Sequence, residues 1–130
     1  MGIRQMQLSH PVHQVSTRFD EENLLPDAGL VPVMALAQRA GLDAAVADRL
    51  TVAGGAGANP VAKITTLVAG MAAGADSIED LKILRHGAAA SVLTDTRAPS
   101  TLGTFLRAFT FGHVRQLDAI AATTLAGLAR

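Results

Sequence analysis

The stretch Arg97-Ala-Pro-Ser-Thr-Leu-Gly-Thr-Phe-Leu-Arg-Ala-Phe-Thr-Phe-Gly-His-Val-Arg-Gln-Leu-Asp118 decides how this chain is read. Pro99, Ser100 and Thr101 spell a helix start, with the Ser100 hydroxyl expected to cap the orphan amides of the first turn. Leu102, Phe105, Leu106 and Phe109 follow at i, i+3, i+4 and i+7, the apolar stripe of a helix with one buried face. Thr101, Thr104 and Arg107 fall on the opposite face, Arg97 precedes the helix and Arg115 follows it. Hydroxyls and guanidinium groups on an outer face can meet the phosphates and base edges of a DNA groove. The same spacing also describes an ordinary amphipathic helix with a polar outside, so the residues leave both readings open.

Outward from that helix the chain is helical on both sides. A last helix is expected from His113, with Leu117, Ile120, Ala121, Thr124, Leu125 and Leu128 along one face. Upstream, Asp76-Ser-Ile-Glu-Asp80 opens a helix whose acids suit the positive end of the dipole. Ile78, Leu81 and Leu84 point inward there, Lys82, Arg85 and His86 lie at its end, and Gly87 stops it. Ala88 to Leu93 reads as a short helix or a loop. Asn59 and Pro60 read as N-cap and first position of a helix burying Val61, Ile64, Leu67, Val68 and Met71. Gly70 and Gly74 are four apart on it, where a neighbour could approach closely. Leu30 to Ala37 forms a helix ended by Gly41, and Leu42 to Leu50 forms a short second one. Val12 to Phe19 alternates weakly, as one short strand would. The expectation is an all-α, multi-helix domain over residues 29–130 behind an arm, residues 1–28, that carries the strand.

Composition agrees with helical packing. The 130 residues are 49% hydrophobic but only 3% aromatic, without Trp or Tyr, so the core must be built from Leu, Val, Ala, Met and four Phe. Charged residues are 17%, below the usual quarter, and mean hydropathy is +0.31, which implies apolar surface awaiting a cover. Formal net charge is zero yet unevenly laid out. Residues 1–80 hold five basic side chains against nine acidic ones, whereas residues 81–130 hold six basic against two acidic. A polyanion should therefore meet the C-terminal half.

Other chemistries find little support in the sequence. With no cysteine, disulfides and thiolate metal sites are excluded. His10 and His13 have no evident third ligand, and the acids of Asp20-Glu21-Glu22 and Glu79-Asp80 sit where turns and helix starts expect them. The glycines of Ala53-Gly-Gly-Ala-Gly-Ala-Asn-Pro60 lack the Gly-Lys-Ser/Thr of a phosphate loop. His86 and His113 could touch phosphate or serve a helix end. The longest apolar stretch, Ile64 to Ala75, is shorter than the roughly 20 residues a membrane span needs. The start of the chain lacks a secretory apolar core. No catalytic residue, metal ligand, cofactor, membrane contact or small-molecule substrate is expected, and the chain reads as cytoplasmic.

Three long runs carry a resemblance. Ala28-Gly-Leu-Val-Pro-Val-Met-Ala-Leu-Ala-Gln-Arg-Ala-Gly-Leu42, Leu67-Val-Ala-Gly-Met-Ala-Ala-Gly-Ala-Asp-Ser-Ile-Glu-Asp-Leu81 and Arg97-Ala-Pro-Ser-Thr-Leu-Gly-Thr-Phe-Leu-Arg107 occur here in order. They resemble the N-terminal region of bacterial insertion-sequence transposases of the DDE type, in their actinobacterial branch, from about Phe19 onward. The resemblance implies a helical region that binds the terminal inverted repeats of the element and helps assemble a multimer. It also implies that the two-metal RNase H-like domain of such enzymes would lie beyond Arg130, so this chain alone would be catalytically incomplete. On that reading double-stranded DNA is the partner. Arg97, Arg107 and Arg115 neutralise phosphates, Lys82 and Arg85 support them, and Thr101 and Thr104 reach into a groove. Two helices with a basic outer rim make the C-terminal half helix-turn-helix-like, although the connection from Gly87 to Ala98 is longer than the three- or four-residue turn of the strict motif. The alternative from another class is a helical self-association module without a nucleic-acid role.

Overall fold

The computed structural model describes residues 28–86, 93 and 95–130. Those residues form five α-helices: α1 (Leu30–Arg39), α2 (Leu42–Arg49), α3 (Pro60–Ala72), α4 (Pro99–Arg107) and α5 (Phe111–Leu128). Two 3-10 segments, Gly55–Gly57 and Glu79–Arg85, complete them. No strand occurs among the described residues, and the all-α expectation holds there. The strand expected at Val12 to Phe19, the Gly87 stop and most of Ala88 to Leu93 lie outside the described residues. No single described helix is long and apolar enough to cross a membrane.

Glycine and proline punctuate the chain as their backbone preferences require. Pro32 falls in the first turn of α1, where its missing N–H removes no helical bond. Gly41, at φ 95°, ends α1 in the left-handed region that a Cβ disfavours and begins α2 directly. Asn59 and Pro60 take the N-cap and first positions of α3 as expected, although Asn59 is left-handed and its side chain caps nothing. At the other end of α3, Gly74 (φ +94°) closes a Schellman turn: Gly74 N–H donates to Met71 O and Ala75 N–H to Gly70 O. Gly74 is thus a turn residue and not a packing site. Gly70 fulfils the close-approach expectation alone, since a Cβ there would occupy the position of Leu81 Cδ2.

The expected α-helix after Asp76 is a 3-10 helix instead. Ile78, Leu81 and Leu84 are spaced by three, the 3-10 repeat, so this tighter winding keeps all three on the inward side over a run longer than most 3-10 helices. The Asp80 carboxylate holds its start, accepting from the N–H of Asp76 (3.1 Å) and Ser77 (2.9 Å) and from the Ser77 hydroxyl (2.9 Å). These bonds favour the ionised form and hold the Asp80 carboxyl below its ordinary range.

Two apolar clusters make the core. One contains Leu42, Ala45, Val46, Leu50, Ile64, Phe105 and Ile120. The other contains Leu30, Met34, Ala69, Leu81, Leu84 and Leu102. Two helices place buried side chains in both clusters: α3 through Ile64 and Ala69, and α4 through Phe105 and Leu102, which are fully buried. Phe109, just past its end, packs edge-on against Phe105 with ring centroids 5.0 Å apart.

The apolar face of α5 differs from the one the sequence suggests. Ile120 is buried and Leu117 and Thr124 are half-buried, but Ala121, Leu125 and Leu128 are exposed. The reason is Gly127, which lies directly on the Ala40 carbonyl at the end of α1, where a Cβ would collide. Close approach at that glycine rotates α5 so that 117, 120, 124 and 127 face inward.

Candidate nucleic-acid interface

The helix α4 places its residues by proline geometry. Pro99 occupies the first helical position, and Ala98 before it is extended, as a residue preceding proline prefers. Ala98 is therefore the N-cap, and no side chain caps the helix. Ser100 lies one step inside, which corrects the capping role expected for it. Its hydroxyl stands in the exposed first turn beside that of Thr101.

Inward, α4 buries Leu102, Gly103 and Phe105; outward, Ser100, Thr101, Thr104 and Arg107 are all exposed. The amphipathic division expected from the sequence is thus present, although the helix ends at Arg107, before Phe109. Thr104 donates its hydroxyl proton to the Ser100 carbonyl oxygen at 3.1 Å and accepts from Arg107 Nη2 at 3.3 Å.

The remaining candidate cations divide into two kinds. Lys82 and Arg85 are exposed on the 3-10 helix that packs against α3 and α4, and Arg115 is exposed on the second turn of α5. Lys82 pairs with Glu79 at 2.6 Å, an exposed i, i+3 contact. Arg97 is held within the fold. Its guanidinium pairs with Asp95 at 2.7 Å, and its backbone N–H donates to the Thr66 hydroxyl on α3. The Arg97 Nε is buried without a hydrogen-bond partner among the described residues. Arg97 therefore ties the segment entering α4 to α3, and its charge is already offset.

Lys63, Thr51 and Gln116, which sequence reasoning passed over, set the frame together with His113, expected at a helix end. Lys63 is buried; its Nζ donates to the Ala56 carbonyl oxygen at 2.7 Å and lies 5.2 Å from the Phe105 ring centroid. Only its position in an apolar stretch between Val61 and Ile64 could have signalled this. Thr51 is clasped from α5: its N–H donates to Gln116 Oε1 (3.0 Å), and Gln116 Nε2 donates to its hydroxyl (2.8 Å). His113 completes the clasp. Its Nδ1 accepts the Thr110 N–H at 2.9 Å, so the proton sits on Nε2 and is donated to Thr51 O at 3.0 Å. The imidazole thus fixes the start of α5, and with it the turn carrying Arg115.

A groove of about 690 Å3 runs between α1 and α3, with Met34, Val61 and Ala69 in its walls and the carboxylates of Asp43 and Asp95 at its rim. Its acids make it a poor seat for a polyanion, and the outer face of α4 is the better one. Among the described residues no group of three or more His, Asp or Glu could hold a metal ion. Comparison with protein-family models, with curated proteins and with solved structures gives no match.

Proposed function

We propose that residues 29–130 form a transposase-type helical region that binds double-stranded DNA through the outer face of α4, the ends of an insertion element being its targets. The observation that carries this reading is the construction of α4. Its inner side chains are locked in both cores, and its outer positions offer three hydroxyls and a guanidinium. A rigid element presenting small hydroxyls and one cation suits a duplex, where phosphate contacts position and base-edge contacts specify. The first turn of α4, without a side-chain cap, adds backbone amides that favour phosphate. The 3-10 helix Glu79–Arg85 would stand where a helix-turn-helix has its first helix, with α4 as the second. Lys82, Arg85, Arg97 and Arg115 flank the face, and the two ion-paired residues, Lys82 and Arg97, contribute least. The cytoplasm is where such a region would meet its DNA.

Anisotropy titration of a labelled duplex over a range of salt concentrations tests the reading. Contacts from Arg85, Arg107 and Arg115 give a log–log salt slope of about −2.7, and engagement of Lys82 and Arg97 as well steepens it toward about −4.5. Absence of binding at low salt would sink the reading. It would favour the self-association module, for which the exposed Phe111, Leu125 and Leu128 on α5 speak.

A further inference from the structure

Resting on the DNA reading above, we propose that Thr104 is not a base-reading residue but a positioning residue, which holds the Arg107 guanidinium in place as the phosphate contact of α4. A threonine hydroxyl has one proton to give, and Thr104 gives it to Ser100 O. Phosphate oxygens and the O6 and N7 atoms of guanine are acceptors, so while it bonds Ser100 O the Thr104 hydroxyl has no proton for them, and one of its two lone pairs is already taken by Arg107. Arg107 spends a single N–H on Thr104 and keeps the rest of its five for a ligand.

Gly103 lies beside the same guanidinium. A Cβ built there would stand 3.2 Å from Arg107 Nη1 and 3.8 Å from Cζ and Nη2. The guanidinium therefore lies against the bare backbone at Gly103, and a methyl there would displace its tip by a few tenths of an ångström. A hydroxyl is also the right kind of holder. Asp95 and Glu79 fix Arg97 and Lys82 by cancelling their charge, whereas Thr104 fixes Arg107 and leaves its charge intact. A side chain already ordered in the free protein loses less freedom when the phosphate arrives.

The test uses the full chain with Thr104→Val, Thr104→Ser, Arg107→Ala and the Thr104→Val/Arg107→Ala double variant. In the free protein, nitrogen-15 relaxation of the Arg107 Nε–H should report an ordered side chain in the wild type and in Thr104→Ser, and a mobile one in Thr104→Val. Equal mobility in wild type and Thr104→Val overturns the proposal. With two short duplexes of unrelated sequence, Thr104→Val should weaken binding to both by the same factor, about three- to tenfold, the worth of one modest hydrogen bond. Thr104→Ser should restore it, and the double variant should bind no worse than Arg107→Ala alone. A loss confined to one duplex, or one that persists without Arg107, overturns the proposal in favour of direct readout by Thr104. If the wild type binds neither duplex at low salt, the DNA reading itself falls, and the relaxation result still decides whether Thr104 orders Arg107.

Discussion

The Lys63 ammonium lies 5.2 Å from the centroid of the fully buried Phe105 ring while donating to Ala56 O, so one buried cation joins the glycine-rich loop to the helix α4. A charge this deep is tolerable because the hydrogen bond and the ring face replace part of its hydration.

Replacing Lys63 separates those contributions. Lys63→Met keeps the apolar stem and should cost about 1–2 kcal/mol, from the lost hydrogen bond and cation–π contact. Lys63→Ala also leaves a cavity beside Phe105 and should cost about 2–4 kcal/mol. Urea melts of the two variants check this, and a Lys63→Met variant as stable as the wild type would show that the ammonium contributes nothing.

Asp80 gives the fold a pH dependence of known sign. The Ser77 hydroxyl, followed by the N–H groups of Asp76 and Ser77, holds its folded-state carboxyl below the ordinary range. A depressed folded value contributes stability that is present above the unfolded value, about 3.9, and is lost as pH falls through the folded one. The stability gap between wild type and Asp80→Asn should therefore be constant near neutrality and close on acidification. Carbon-13 titration of the Asp80 carboxyl tests the cause directly, and a midpoint at or above the ordinary aspartate range would refute it.

Gly127 and Gly112 sit on the same helix and should answer the same substitution in opposite ways. Gly127→Ala drives a methyl into the Ala40 carbonyl and should cost about 1–3 kcal/mol. Gly112→Ala meets only the Thr110 hydroxyl at 3.7 Å and should be neutral or stabilising by up to about 1 kcal/mol. Thermal melts of both variants measure the contrast. Equal tolerance would mean that α5 does not lean on the end of α1.

Leu125 is 68% exposed and Leu128 49%, on a face of α5 with little charge. The wild-type chain should associate at high micromolar concentration, and Leu125→Glu should reduce the association while changing stability by less than about 0.5 kcal/mol. Ile120→Ala, inside the core, should instead cost about 2–4 kcal/mol. Sedimentation velocity showing a clean wild-type monomer would remove this face as an interface.

Periodicity made most helices legible because their buried positions are large and apolar. Leu102 with Phe105 in α4 is found at the expected spacing and is buried. Where a small or polar residue sets the packing, the pattern misleads. Gly127 carries no hydropathy signal yet rotates α5, and Lys63 counts as a surface charge until the loop and ring around it are seen. The outer face of α4 was legible at Thr101, Thr104 and Arg107, which are polar and correctly spaced; Ser100 joins it because Ala98 is the N-cap. Which of them is engaged was not, because Thr104 bonds back one turn to Ser100 O, a choice of rotamer that sequence does not reveal.

The span of α4 across both cores has a consequence for how recognition could change over time. Ser100, Thr101, Thr104 and Arg107 can be exchanged at little expense to folding, since none of them enters either cluster. Leu102 and Phe105 cannot, because loosening either one opens a core that the rest of the domain shares. The outer face can therefore change its chemistry while the frame beneath it stays fixed, and a surface built this way can be rewritten without being refolded.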